Sequence, residues 1–527
     1  MLLYKITMFG RREKDLPPGP PTVPILGNAH LIPTTWFSAQ LKTWAEQYGS
    51  VYSLKVGQST MVVLNDRRAV HELLVKQGAY YNDRPIDAQA AVAARHENTA
   101  LMHEGPMWRA ERKIAATYFA PKNLDGVLRP IQEAEVNRLM FDLLTRPEQF
   151  AKSVKRTTAS VASITLFGHR ALEFDSFWAY ASYFYSTCTG IAYLDSTGGL
   201  HCNGCALAPG SYLPIEQFPI LKLVPDRWLM GRERGKKFYG IMTGIWAEAR
   251  QRVDKRRSAG DKRESLIDMI LDEKIKSDVS LSYSGLNNFL GGVHMGASDT
   301  TATATLTTIL FLAKHPEFQE KARIELDRVC GTERMPSWSD FKDLPYVNCI
   351  LKEGLRMRPI VPSGVPHRSK EDRWYDGMLI PADSTIFIPP ATLNYDENYV
   401  TDSWTYNPDR YVPTADKLAP ELSASSKYEE RDHYSYGAGR RMCVGIHLAE
   451  RSQWRMIAQM LWAFNIGPEI GPDGKPMEVK TGYDVYEDGF LNGPKDYMVR
   501  IVPRSEKHAE VVRATFAETE PDMARWE

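Results

Sequence analysis

Residues 436–445 read Tyr436-Gly-Ala-Gly439-Arg-Arg441-Met-Cys443-Val-Gly445, and the segment that follows, IHLAERSQWRMIAQMLWAF from Ile446 to Phe464, reads as a helix. A cysteine placed just before a helix has its thiolate favoured by the helix N-terminus, and glycines on both sides let backbone approach it closely. Taken alone, Cys443 would read as an inert buried thiol in a glycine turn. That reading leaves Arg441, two positions earlier, without a purpose. The other cysteines, Cys188, Cys202, Cys205, Cys330 and Cys349, are too few and too scattered for a disulfide framework in 527 residues, which fits a reducing compartment.

Such a loop suits a thiolate ligand to haem iron, whose electron push favours O–O cleavage. It resembles the haem-binding loop of the cytochrome P450 family, Phe-x-x-Gly-x-Arg-x-Cys-x-Gly, at Gly439, Arg441, Cys443 and Gly445, and departs from it at Tyr436, where the family has Phe. The change keeps an aromatic ring beside the sulfur.

Working upstream, Glu353-Gly-Leu-Arg356 places a carboxylate and a guanidinium three residues apart on one helix face. An isolated pair of this kind is usually a solvated surface pair. Its place upstream of Cys443 is similar to the family's Glu-x-x-Arg, which a later arginine completes, here Arg410 in Asn407-Pro408-Asp409-Arg410. The run Gly296-Ala297-Ser298-Asp299-Thr300-Thr301 lies mid-helix, where Asp and Thr have poor propensity and need a reason to be. By resemblance Thr300 orients dioxygen and Asp299 relays protons to it, with Ala297 in place of the commoner Gly. Trp108-Arg-Ala-Glu-Arg112 is similar to the family's Trp-x-x-x-Arg helix, which implies haem propionate contacts for Trp108 and Arg112, and for His367 and Arg441 as well. His201-Cys202-Asn-Gly-Cys205 has zinc-ligand spacing but no second pair, so a flexible loop near the substrate entrance is preferred.

The rest of the chain is consistent with that frame. Its 43% hydrophobic and 25% charged residues are ordinary for a globular protein, and 65 basic against 65 acidic residues offer no global field for nucleic acid. Length alone would suggest two domains, but no repeat and no Gly/Ser linker after residue 25 divides the chain. We expect one large haem domain over 17–527, mainly α with small β-sheets, in the cytochrome P450 fold. A hairpin is expected over 51–64, a long helix over about Ser284–Lys314 and a second over about Pro345–Met357, stopped by Pro359. Residues 1–16 hold an apolar stretch of about nine residues, too short for the roughly 20 that span a bilayer, then the basic Arg11, Arg12 and Lys14, before LPPGPP at 16–21. We read 1–16 as a shortened membrane anchor with its basic flank, whose removal leaves a folded domain.

The resemblance implies haem b (iron protoporphyrin IX), O2, and NADPH-cytochrome P450 reductase as partner, since no flavin or nicotinamide fingerprint is present, with Arg109, Lys113 and Arg440 as docking charges. It further implies membrane association at the cytoplasmic face of the endoplasmic reticulum, and insertion of one oxygen atom into a lipophilic small molecule in specialised metabolism. Alternatives are catabolic hydroxylation of small aromatics, a haem-thiolate isomerase or dehydratase, and a non-catalytic haem carrier or sensor.

Overall fold

The computed structural model describes residues 9–95, 97–182, 190–194, 200–205, 214–229 and 232–527. Helices dominate. We label β1 Val51–Val56, β2 Ser59–Leu64, α1 Pro106–Tyr118, α2 Arg129–Thr145, α3 Phe150–Phe167, α4 Arg232–Ser258, α5 Tyr283–Lys314, α6 Pro345–Met357, β3 His367–Arg368, β4 Thr385–Phe387, α7 Ile446–Ala463, β5 Phe464–Pro468, β6 Val499–Pro503 and α8 Glu506–Met523.

The longest helix, α5, starts where Ser282 caps it, its hydroxyl accepting from the Gly285 N–H at 3.0 Å. Its 32 residues reach about 48 Å at the usual rise per residue. Two glycines let neighbours close on it. A Cβ on Gly291 would sit 2.3 Å from the Trp246 ring of α4, and one on Gly354 of α6 would sit 2.7 Å from Thr308 Oγ1. α6 begins at Pro345, suited to a first turn, and ends before Pro359 as the sequence suggests. The main core lies where α2, α3, α5, α6 and α7 meet, around the fully buried Trp454 and Trp462.

The expected hairpin forms, with Val56 opposite Ser59. It belongs to a four-stranded sheet in the order β1-β2-β4-β3, so strands more than 300 residues apart pair in parallel, Val62 opposite Ile386. The residues before Pro17 are docked on this sheet. Arg12 donates to Ser53 O at 2.9 Å and Ser53 Oγ at 2.7 Å, Glu13 pairs with the buried Lys55 Nζ at 2.7 Å, and the Leu379 N–H donates to Asp15 O at 2.7 Å. Removing residues 1–16 would therefore take the counter-charge from a buried lysine, leaving it the neutral acceptors Gln58 O and Thr60 Oγ1. Residues 1–8 lie outside the described residues. The segment around the zinc-like spacing is also ordered backbone: 200–205 is a strand paired with 190–194, which corrects the expectation of a loop. The side chains of His201, Cys202 and Cys205 lie outside the described residues.

Candidate active site

The Cys443 loop is bent back on itself. Gly437 and Gly439 have φ of +73° and +64°, a region that favours glycine, and a Cβ on Gly439 would lie 2.2 Å from Leu74 O. The Cys443 N–H then donates to Tyr436 O at 2.9 Å, and α7 starts three residues later. Cys443 has accessible surface of its own, yet protein crowds it enough that burial raises its thiol pKa, opposed by the Gly445 N–H and by Arg112. The sulfur thus looks into the interior of the molecule.

Beside it, three arginines come together. Arg112 on α1 donates to Met442 O, Arg441 lies over the Trp108 ring at 4.0 Å, and Arg84, buried, donates to Ala100 O, Val365 O and Pro366 O at 2.7, 2.9 and 2.7 Å. Burial lowers the pKa of all three; Arg441 and Arg112 push Arg84 down further and Arg112 does the same to Arg441, against the pull of Asp83, while Cys443 opposes the shift at Arg112. Arg441 is brought down to about 10. The nearest carboxylate, Asp83, is already engaged by His103, the Glu104 N–H and Arg368. His367 donates from Nδ1 to Tyr81 O at 2.8 Å, because a carbonyl only accepts. Burial first, then Arg84 and Arg441, hold it neutral with a pKa of about 3. Arg441 Nη2 is buried with no hydrogen-bond partner. Excess positive charge and an orphaned donor next to an inward-facing cysteine fit a haem, whose two propionates would neutralise the cluster. Arg84 is absent from the sequence reading, because nothing in Asn82-Asp-Arg-Pro85 separates it from a solvated charge.

Across from the loop runs α5. Ala304, one turn beyond Thr300, packs in one cluster with Tyr436 and Ile446, which flank the cysteine. The Thr300 hydroxyl donates to Gly296 O at 2.6 Å, a back-bond that leaves its oxygen lone pairs facing out. Burial raises the Asp299 pKa to about 6, with Lys155 of α3 opposing. Gly296 is exposed although it sits mid-helix, so this face also borders interior space.

Behind the loop, Glu353 and Arg356 are wholly buried. Arg356 donates from Nε and Nη2 to the Glu353 carboxylate at 2.7 and 2.8 Å. Arg410 Nε and the Asn407 N–H add bonds at 3.2 and 2.7 Å, and Arg356 Nη1 reaches Asn394 O and Ser403 O. Two of the expected docking charges are occupied: Arg109 pairs with Glu104 and Lys113 with Asp278.

The family described as Cytochrome P450 matches residues 17–500. Cytochrome P450 monooxygenase macC of Penicillium terrestre is 35% identical, covering 99% of this chain and 96% of that protein. Cytochrome P450 monooxygenase acuC of Aspergillus aculeatus is 36% identical over 97% of this chain and 93% of its own length. Cytochrome P450 monooxygenase patI of Aspergillus clavatus is 34% identical over 98% and 94%. The chain belongs to the cytochrome P450 family, as a haem-thiolate monooxygenase that needs O2 and a redox partner to oxidise a small molecule.

Proposed function

We propose that this P450 binds haem b through Cys443, receives NADPH electrons through a separate reductase at the cytoplasmic face of the endoplasmic reticulum membrane, and oxygenates a lipophilic intermediate of specialised metabolism. The observation that carries the reading is the cluster of Arg84, Arg112 and Arg441 beside Cys443, in which the buried Arg441 Nη2 has no hydrogen-bond partner. Bound haem supplies the activation of O2. Arg112, Arg441 and Trp108 would hold its propionate edge, His367 would join them only with a second proton on Nε2, since its Nδ1 proton is given to Tyr81 O, and Glu353, Arg356 and Arg410 would keep the loop below it in shape. The Thr300 hydroxyl, its proton engaged by Gly296 O, presents lone pairs that accept from a proton donor. Asp299, with a pKa of about 6, gains and loses a proton near neutral pH. An isomerase or dehydratase would need no such pair.

Membrane seating has its own support. Among the described residues no helix is long and apolar enough to cross a membrane. Ile220, Leu223 and Trp228 are 73, 83 and 68% exposed, and Ile25 and Leu26 are exposed as well. The two segments are joined, since the Gln58 N–H donates to Gln217 O and the Phe9 and Phe218 rings lie 6.0 Å apart. Apolar side chains in such a patch suit an interfacial contact with lipid.

Reconstitution with a P450 reductase tests the reading. NADPH and O2 should be consumed in step with product, and the reduced, carbon monoxide-bound spectrum should show a thiolate-type Soret band. In Thr300→Ala, NADPH oxidation should persist while hydrogen peroxide accumulates and product per NADPH falls about a hundredfold, the lower end of what a positioned proton-delivery group contributes. An unchanged ratio would remove Thr300 from proton delivery. Metabolite profiling of a strain lacking the gene checks the specialised-metabolism assignment.

A further inference from the structure

The cleft above α5 has one polar end. Ala93, Leu101, Met242, Trp246 and Met295 give it apolar walls, and Glu97, Asn98, Tyr239, Thr243 and Asn288 line the same space. Glu97 is fixed there: Tyr239 Oη donates to its Oε2 at 2.8 Å, and Asn288 Nδ2 donates to the same oxygen. The Thr243 hydroxyl, near Tyr239, is buried and makes no well-formed hydrogen bond. Asn98 Nδ2 stands over Gly292, 3.6 Å from where a Cβ would be. An anionic acceptor held by two side chains from two different helices, in an otherwise apolar cleft, has the composition of a recognition group rather than of a solvated surface charge.

α5 links this end to the reacting end. Asn288, Gly292, Gly296 and Thr300 recur every four residues of α5 as a row of i, i+4 neighbours that winds about 40° around the helix at each step. The two glycines leave that row open, and neither a Cβ on Gly296 nor one on Gly292 would meet an atom closer than 3.6 Å. Helical rise puts Gly292 about 12 Å and Asn288 about 18 Å from Thr300.

We propose that Glu97, positioned by Tyr239 and Asn288, is a specificity-determining residue that accepts a hydrogen bond from a hydroxyl on the substrate. The substrate is then an elongated lipophilic molecule, with its hydroxyl on the end remote from the carbon that is oxidised beside Thr300. The inference rests on the monooxygenase reading above and deepens it.

The test uses the haem-loaded full chain and two probes of closely matched length, 4-hydroxy-para-terphenyl and 4-methyl-para-terphenyl, titrated against the low-spin to high-spin shift of the Soret band. A hydrogen bond to a charged acceptor discriminates by about tenfold to a hundredfold, so the wild type should prefer the hydroxyl probe by that factor. Glu97→Ala should bring the two dissociation constants together, and Glu97→Gln, which keeps the shape and weakens the acceptor, should fall between. If Glu97→Ala does not fold, the Gln variant carries the comparison. A role for Glu97 in clamping helices alone would weaken both probes equally and leave their ratio unchanged. That outcome, or a wild type that binds the hydroxyl probe no better than the methyl probe or not at all, overturns the inference. Loss of the thiolate-type carbon monoxide band in the wild type would instead overturn the haem assignment.

Discussion

Two arginine clusters flank the Cys443 loop, and their chemistry is opposite. In the cluster of Glu353, Arg356 and Arg410 the carboxylate meets both guanidinium groups and a backbone N–H, and the spare Arg356 donors reach the carbonyls of Asn394 and Ser403. In the cluster of Arg84, Arg112 and Arg441 the cations repel one another, and Arg441 Nη2 has no partner although it is buried. A buried ion pair with every hydrogen bond made is self-sufficient, whereas buried like charges with a spare donor are stable only with an anion beside them. We propose that the first cluster serves the fold and the second a ligand. Both are arginine-rich and both are buried, so neither composition nor burial separates them. Whether each donor has an acceptor does.

Breaking the self-sufficient cluster should have the largest effect. Glu353→Ala leaves the buried Arg356 and the partly exposed Arg410 without their carboxylate, which costs about 3–5 kcal/mol, enough to abolish soluble, haem-loaded protein. Expression and thermal melting of the apoprotein check this, and a near-normal melt would show that the triad is not self-contained. Cys443→Ser should fold and lose all monooxygenase activity, with the thiolate-type Soret band replaced, because a serine hydroxyl is a harder and far less acidic ligand. Retention of that band would refute Cys443 as the ligand.

Arg441→Ala is the sharper contrast. Removing one of three repelling cations should leave the melting of the apoprotein unchanged or raise it, while transfer of haem to an acceptor protein becomes about tenfold faster, the size of one charge-assisted hydrogen bond. If the apoprotein melts lower by as much as Glu353→Ala, the two clusters do not differ in kind.

The smallest effect is expected across the cleft. Burial raises the Asp299 pKa in the folded chain to about 6, above the ordinary carboxylate value near 3.9. A raised folded value means that stability is complete below about pH 4 and is lost as the pH climbs through 6, since the ionised form is the one that burial penalises. Asp299→Asn should therefore melt higher than the wild type at pH 8 and equally at pH 4, while product formation falls. A pH-independent difference in melting would show that the carboxylate is not desolvated.

Much of this was legible in the linear chain wherever the cause is local. The hairpin at 51–64 follows from β-branched residues around a turn, and the ends of α6 follow from Pro345 and Pro359. The three-residue spacing of Glu353 and Arg356 places both on one helix face whatever surrounds them. The sequence also marks Asp299 and Thr300 as odd residues for mid-helix, since poor helix propensity is a property of the residue itself.

Only the tertiary structure decided the features that depend on partners far along the chain. Arg84 is a buried cation beside Arg441 because carbonyls at 100, 365 and 366 hold it there. Residues before Pro17 dock on the folded domain because Ser53 and Lys55 of the sheet, and Leu379 of a separate strand pair, hold them. Glu97 becomes a fixed acceptor only when Tyr239 and Asn288 reach it from two other helices. A charged side chain reads the same in sequence whether water or protein surrounds it, and the difference lies in desolvation and in the count of available acceptors, which exist only after the chain has packed.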